Sequence, residues 1–182
     1  MIDYPVIAAV KNTEDFKQAL SSSVTDMFHL TPNILSLKRE TEAAHAAQKK
    51  LFIHIDFAEG IAKDKFGLLF VKKLGVDGII STRVSMIKLA KEAGLFTVQR
   101  FFIVDTRSVE TTVETLKSSK ADMIEVMPGV VPKIITELKQ HLQVPIIAGG
   151  LIQSSQEVQA ALTAGAAAVS TGSKQLWNNE VN

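Results

Sequence analysis

The chain has no cysteine, so disulfide frameworks and thiolate metal sites are excluded. It has no apolar run approaching the ~20 residues that span a bilayer. The first residues, Met1-Ile2-Asp3-Tyr4-Pro5, lack a basic stretch followed by a long apolar one, so no secretory signal is visible and a cytoplasmic address is expected. Charge of one sign is not in excess. Twenty Lys and Arg stand against nineteen Asp and Glu, a net charge of +1, which argues against a protein built mainly to coat nucleic acid. No aromatic RNA-recognition signature occurs, and Phe101-Phe102 has the character of core. Lys38-Arg39, Lys49-Lys50 and Lys72-Lys73 have the character of solvated helix faces. Linkers and low-complexity stretches are missing as well, so residues 1–182 are expected to form one domain, a length that buries a large core unaided.

What the chain does have is repetition. Short apolar runs recur at Pro5–Val10, Val24–Leu30, Leu51–Phe57, Val76–Thr82, Phe96–Ile103, Ala121–Met127, Val144–Leu151 and Ala166–Thr171. Most are continuously apolar, as parallel strands buried on both faces require. Segments of helical period lie between them, including Asn33–Gln48, Val84–Ala93, Arg107–Lys117, Lys133–His141 and Ser155–Ala164. Strict alternation allows a closed barrel or an open doubly wound sheet. The number of units favours an α/β fold of the TIM-type (β/α)8 barrel class, compact and with short loops. Helix ends agree with this phasing. Gly75, Gly94 and Gly165 each follow a helix and precede an apolar run, and Ser154 with Glu157 forms a capping-box pattern. Pro32 and Pro132 suit first helical positions.

In such a barrel the functional surface is built by the loops after the strand C-termini. The strongest motif there is Ala148-Gly149-Gly150-Leu151, paired with Ser170-Thr171-Gly172-Ser173 before a short final helix. Glycines let an anion reach the backbone, and a helix start supplies N–H groups. The backbone amides of Gly149, Gly150, Thr171, Gly172 and Ser173 are therefore the expected phosphate site. Further ligand-binding candidates are His54, Asp56, Arg83, Arg100 and Glu125. His54 and Asp56 are expected to share one strand face, which suits an acid/base pair, metal ligands or a polar layer at the mouth. Glu125 interrupts an apolar strand and needs a partner, for which Arg100 is placed in the neighbouring strand. Arg83 can neutralise Asp56 or hold an anion. His29, His45 and His141 show no metal-ligand spacing, and no metal or cofactor is expected. The segment Phe57–Gly67 carries glycine at both ends of an amphipathic stretch, so Glu59–Phe66 could be a lid or an ordinary loop entering a helix.

The residues so assembled resemble the glycerol-3-phosphate-responsive antiterminator family. The matching stretches are Phe52-Ile-His-Ile-Asp56 with Glu59-Gly60-Ile61, Gly78-Ile-Ile-Ser-Thr-Arg83, Gln99-Arg-Phe-Phe-Ile-Val-Asp105, Ile124-Glu-Val-Met-Pro-Gly-Val-Val-Pro132 and Pro145-Ile-Ile-Ala-Gly-Gly-Leu-Ile152. The resemblance implies a barrel that binds glycerol 3-phosphate and then acts on leader mRNA to prevent premature transcription termination of glycerol-utilisation genes. It implies no catalytic residue. The competing readings are an isomerase or lyase acting on a small phosphorylated metabolite, and a sensor whose partner is a protein. Against the enzyme stand the absence of a catalytic signature and of a lysine at an inward strand position. A homodimer is the expectation from how often soluble proteins form one.

Overall fold

A computed structural model of the protein describes residues 5–178. The segment read for a signal lies, except for Pro5, outside the described residues. Eight parallel strands close into a barrel in sequence order: β1 (Val6–Val10), β2 (Asp26–His29), β3 (Lys50–His54), β4 (Gly78–Ser81), β5 (Phe96–Phe102), β6 (Met123–Met127), β7 (Ile146–Gly149) and β8 (Ala168–Thr171). Each apolar run therefore holds a strand, but the strands are shorter, because the run ends turn into loops. The helices are α1 (Thr13–Leu20), α2 (Leu37–Ala46), α3 (Lys65–Lys73), α4 (Val84–Glu92), α5 (Thr106–Ser119), α6 (Pro132–His141) and α7 (Ser155–Thr163). A single 3-10 turn, Lys174–Trp177, occupies the place of an eighth helix. Among the described residues no helix is long and apolar enough to cross a membrane.

Alternation divides each strand between two cores. Ile7, Phe28, Phe52, Ile80, Val98, Met123, Ile147 and Ala168, one from each strand, fill the lumen. Their neighbours, such as Ala8, Met27, Ile53, Ile79, Ile124 and Val169, face the helices. Two residues further along the strands, the lumen turns polar with His54, Arg100, Glu125 and Ser170. The apolar plug thus forms a floor beneath a polar mouth.

The helix ends follow their sequence signals closely. Ser154 and Glu157 form the full capping box, Pro132 opens α6, and Gly75, Gly94 and Gly165 hold positive φ. Two expectations need correction. Pro32 does not open a helix: Asn33 forms a parallel bridge to Glu59, and α2 begins only at Leu37. Lys49-Lys50 is no solvated helix face either: Lys49 is buried just before β3 with Nζ donating to Ser22 O (2.8 Å) and to Val24 O, and Lys50 is the half-buried first residue of that strand.

Candidate functional site at the barrel mouth

A cavity of about 790 Å³ opens at the C-terminal ends of the strands. Arg100, Glu125, Gly150, Thr171, Gly172 and Ser173 line it. The structure therefore brings together most of the residues expected at the site, although Gly149, His54, Asp56 and Arg83 are not in its lining. Lys11, Gln153 and Lys174 also line the cavity. Lys11 stands one residue past β1 and is exposed, so it belongs to the rim and is not a lysine at an inward strand position. Lys174 pairs with Asp15 of α1 at 2.9 Å. Lys11 is legible as a rim residue from its place just after the first apolar run, whereas Lys174 follows the Ser-Thr-Gly-Ser turn with no motif of its own and is found only in the structure.

The two glycine-bearing loops are joined through one hydroxyl. Thr171 Oγ1 donates to Ile152 O (2.6 Å) and accepts from Ser173 N–H (3.0 Å), while Trp177 Nε1 donates to Thr171 O (2.9 Å). The Ser173 amide is thus already engaged within its own loop. The glycines serve distinct purposes. Gly150 turns the chain at φ +76°, a region that L side chains rarely adopt. A Cβ on Gly149 would stand 2.4 Å from Glu125 Oε1, so this glycine clears space for a carboxylate of the protein itself. Gly172 is the open one: the nearest atom to an added Cβ is Ala9 O at 3.6 Å.

Glu125 and Arg100 face each other in the β5–β6 register, and Arg100 Nε donates to Glu125 Oε2 at 2.6 Å. Both side chains are buried. Glu125 Oε1 has no hydrogen-bond partner, and neither ring nitrogen of His54 has one. Burial and the Arg100 charge push the His54 pKa down to about 4, against a smaller upward pull from Asp56. A neutral imidazole and a half-satisfied carboxylate therefore stand in the polar layer, one able to donate or accept and the other to accept.

Asp56 stays beside His54 as expected, its Oδ2 lying 3.9 Å from His54 Nδ1, but strand alternation is not what places it. The strand ends at His54, and Ile55–Phe57 forms a 3-10 turn that swings Asp56 toward the end of β4. There it accepts from Ser81 Oγ (2.8 Å), Thr82 N–H (2.8 Å) and Arg83 Nε (3.0 Å). Burial raises the Asp56 pKa, but these donors outweigh it and leave it lowered. Each arginine thus neutralises one carboxylate: Arg83 takes Asp56 and Arg100 takes Glu125. Phe102 departs from the core expectation too, because its ring is largely exposed. Among the described residues no group of three or more His, Cys, Asp or Glu side chains could hold a metal ion.

Residues 6–177 match the family described as glycerol-3-phosphate responsive antiterminator. The chain belongs to that family. The Escherichia coli protein YgcP is 35% identical over 174 residues, covering 95% of this chain and 91% of its own. The glycerol uptake operon antiterminator regulatory protein of Listeria monocytogenes superposes with a TM-score of 0.90 at 34% identity, over 96% of this chain and 95% of the other. A glycerol uptake operon antiterminator-related protein of Thermotoga maritima gives 0.86 at 31% identity, over 97% and 99%. The antiterminator family is a regulatory one, and the match runs from the first strand through Trp177.

Proposed function

We propose that this chain senses glycerol 3-phosphate and, when liganded, binds leader mRNA and prevents premature transcription termination of glycerol-utilisation genes. The observation that carries the reading is the two-sided chemistry of the mouth. One wall offers the Gly150 and Thr171–Ser173 loops with Lys11 and Lys174, a setting for a phosphate. The other offers Glu125 Oε1, buried and without a partner, an acceptor for a hydroxyl. A small molecule with a phosphate at one end and hydroxyls at the other satisfies both walls. Leaving the buried Glu125 oxygen unmatched is costly.

Isothermal titration calorimetry tests this directly. Glycerol 3-phosphate is expected to bind and free glycerol to bind far more weakly; equal affinities would remove the phosphate site. The rival is an isomerase or lyase acting on a phosphorylated metabolite. Lys11 is the observation in its favour, but it is exposed, without the desolvated pocket that activates a nucleophilic lysine. Turnover of candidate phosphometabolites by the purified protein would decide for the enzyme.

A further inference from the structure

Two loops on one side of the mouth are fastened to each other. Glu59 N–H donates to Pro32 O (2.8 Å), Ile34 N–H donates to Glu59 O (3.0 Å), and Asn33 Nδ2 donates to Glu59 Oε2 (2.7 Å). These loops and α3, which follows them, carry Leu35, Phe57, Phe66, Leu69 and Phe70. They make up five of the nine large hydrophobic residues exposed among the described ones, so exposure is concentrated in one sector. Leu35 is 93% exposed, Phe66 78% and Phe57 64%. Phe66, Leu69 and Phe70 lie at i, i+3 and i+4, opposite the buried Leu68 and Val71. A helix on the outside of a barrel is ordinarily polar on its outer face. This one has a second apolar stripe, and contiguous exposure of that kind marks a docking surface.

The charge around the stripe narrows what docks there. The other exposed positions of α3 are Lys65, Lys72 and Lys73. Asp64, just before it, is occupied as the N-cap and accepts from Gly67 N–H at 2.9 Å. A second copy laid across this face on its own α3 would set lysines against lysines, which is repulsive. A single-stranded polynucleotide meets both features at once, with bases stacked on phenyl rings and phosphates on ammonium groups. Recognition of this kind carries no sequence motif, because any base offers a π face.

We propose that the outward face of α3, with Leu35 and Phe57 at its rim end, is the surface on which single-stranded leader RNA docks. The proposal rests on the RNA-binding function put forward above. Phe57 connects this surface to the mouth: its ring centroid lies 4.7 Å from that of His54, whose ring feels the Arg100 charge.

The test uses the full chain saturated with glycerol 3-phosphate and a labelled single-stranded leader RNA, with fluorescence anisotropy over a salt series. Phe66→Ala is expected to weaken binding about tenfold through lost stacking. Lys65→Glu with Lys73→Glu is expected to weaken it and to flatten the log–log salt slope by about 0.7 per lost phosphate contact. All these positions are exposed, and the thermal shift given by glycerol 3-phosphate should be unchanged, showing intact folding and an intact mouth. If the wild type binds no RNA at any salt, the antiterminator reading fails and this surface with it. If the wild type binds and the variants match it in affinity and slope, the surface alone is wrong. If Phe66→Ala leaves RNA binding unchanged but halves the mass seen by light scattering, the stripe is instead a contact between copies of this chain, which overturns the proposal.

Discussion

Glu125 and Gly149 are a matched pair. The carboxylate can occupy the lumen only because the next strand has no Cβ there, with 2.4 Å left for one. Gly149→Ala must displace either the backbone of β7 or the Arg100–Glu125 pair, and should destabilise the protein by about 1–3 kcal/mol, measured by urea denaturation. Glu125→Ala leaves Arg100 buried without its counter-charge and should cost about 3–5 kcal/mol. His54 makes a separate prediction about pH. Its ring is held neutral in the fold, with a pKa of about 4 against an ordinary 6.5. Between those values the unfolded chain binds a proton that the folded one does not, so stability falls as pH is lowered through this window. Thermal melts across the window should show the loss, and His54→Leu should flatten it. Asp56, whose pKa is lowered, contributes its own loss only in more acidic solution. At this scale the sequence was half legible. A lone glutamate among apolar neighbours announces its need for a cation, and Arg100 stands in register to meet it. Nothing in Gly149-Gly150 distinguishes a glycine that admits an anion from one that admits a neighbouring carboxylate, since both look like missing side chains.

At the level of elements, local chemistry fixes ends better than middles. The capping box at Ser154 involves a Ser154 Oγ contact to Glu157 N–H at 3.3 Å and a return contact from Ser154 N–H to Glu157 Oε2 at 2.9 Å. Ser154→Ala should lower stability by about 1 kcal/mol, read from chemical denaturation. Gly67 gives the opposite lesson. Alanine is ordinarily the better helix former, yet a Cβ at this position would stand 1.9 Å from Ala62 O. Gly67→Ala should therefore destabilise the protein in the same assay, because the loop folds back onto the first turn of α3. That loop is held at several points: Glu59 is bonded to the preceding loop, Ile61 is buried, and Lys63 Nζ donates to Ala58 O and Ile61 O. The two flanking glycines signalled a change of direction but not how it is anchored, because the bonds of Glu59 reach the Pro32–Ile34 loop, distant in the chain. The same limit explains Asp56. Period-two alternation holds only while the strand lasts, and the 3-10 turn after His54 has no signature in Ile55-Asp56-Phe57.

The whole molecule was the most legible level, since eight apolar runs in strict alternation with helices leave few ways to bury both faces of every strand. Closure has a consequence for ligand effects. The mouth draws Lys11 from the first strand's end and Thr171–Lys174 from the last, so an anion held between these two segments bridges the seam between β8 and β1. At one hundred times its dissociation constant, a ligand adds about 2.7 kcal/mol. For a domain of this size, glycerol 3-phosphate at that concentration should raise the melting midpoint by roughly 5–10 °C, measurable by differential scanning fluorimetry. Glycerol at the same concentration should leave it nearly unchanged.

The seam also carries its own optical signal. The chain has one tryptophan, and it is Trp177, buried in the core between strands and helices with its indole N–H on the carbonyl of Thr171. Tryptophan emission from this protein, excited selectively at the red edge of its absorption, therefore comes from a single indole bonded to the last residue of β8. A ligand seated at Thr171–Ser173 is expected to change its intensity or wavelength, while an anion held elsewhere on the surface leaves the spectrum alone. The protein needs no added dye to report where it is occupied.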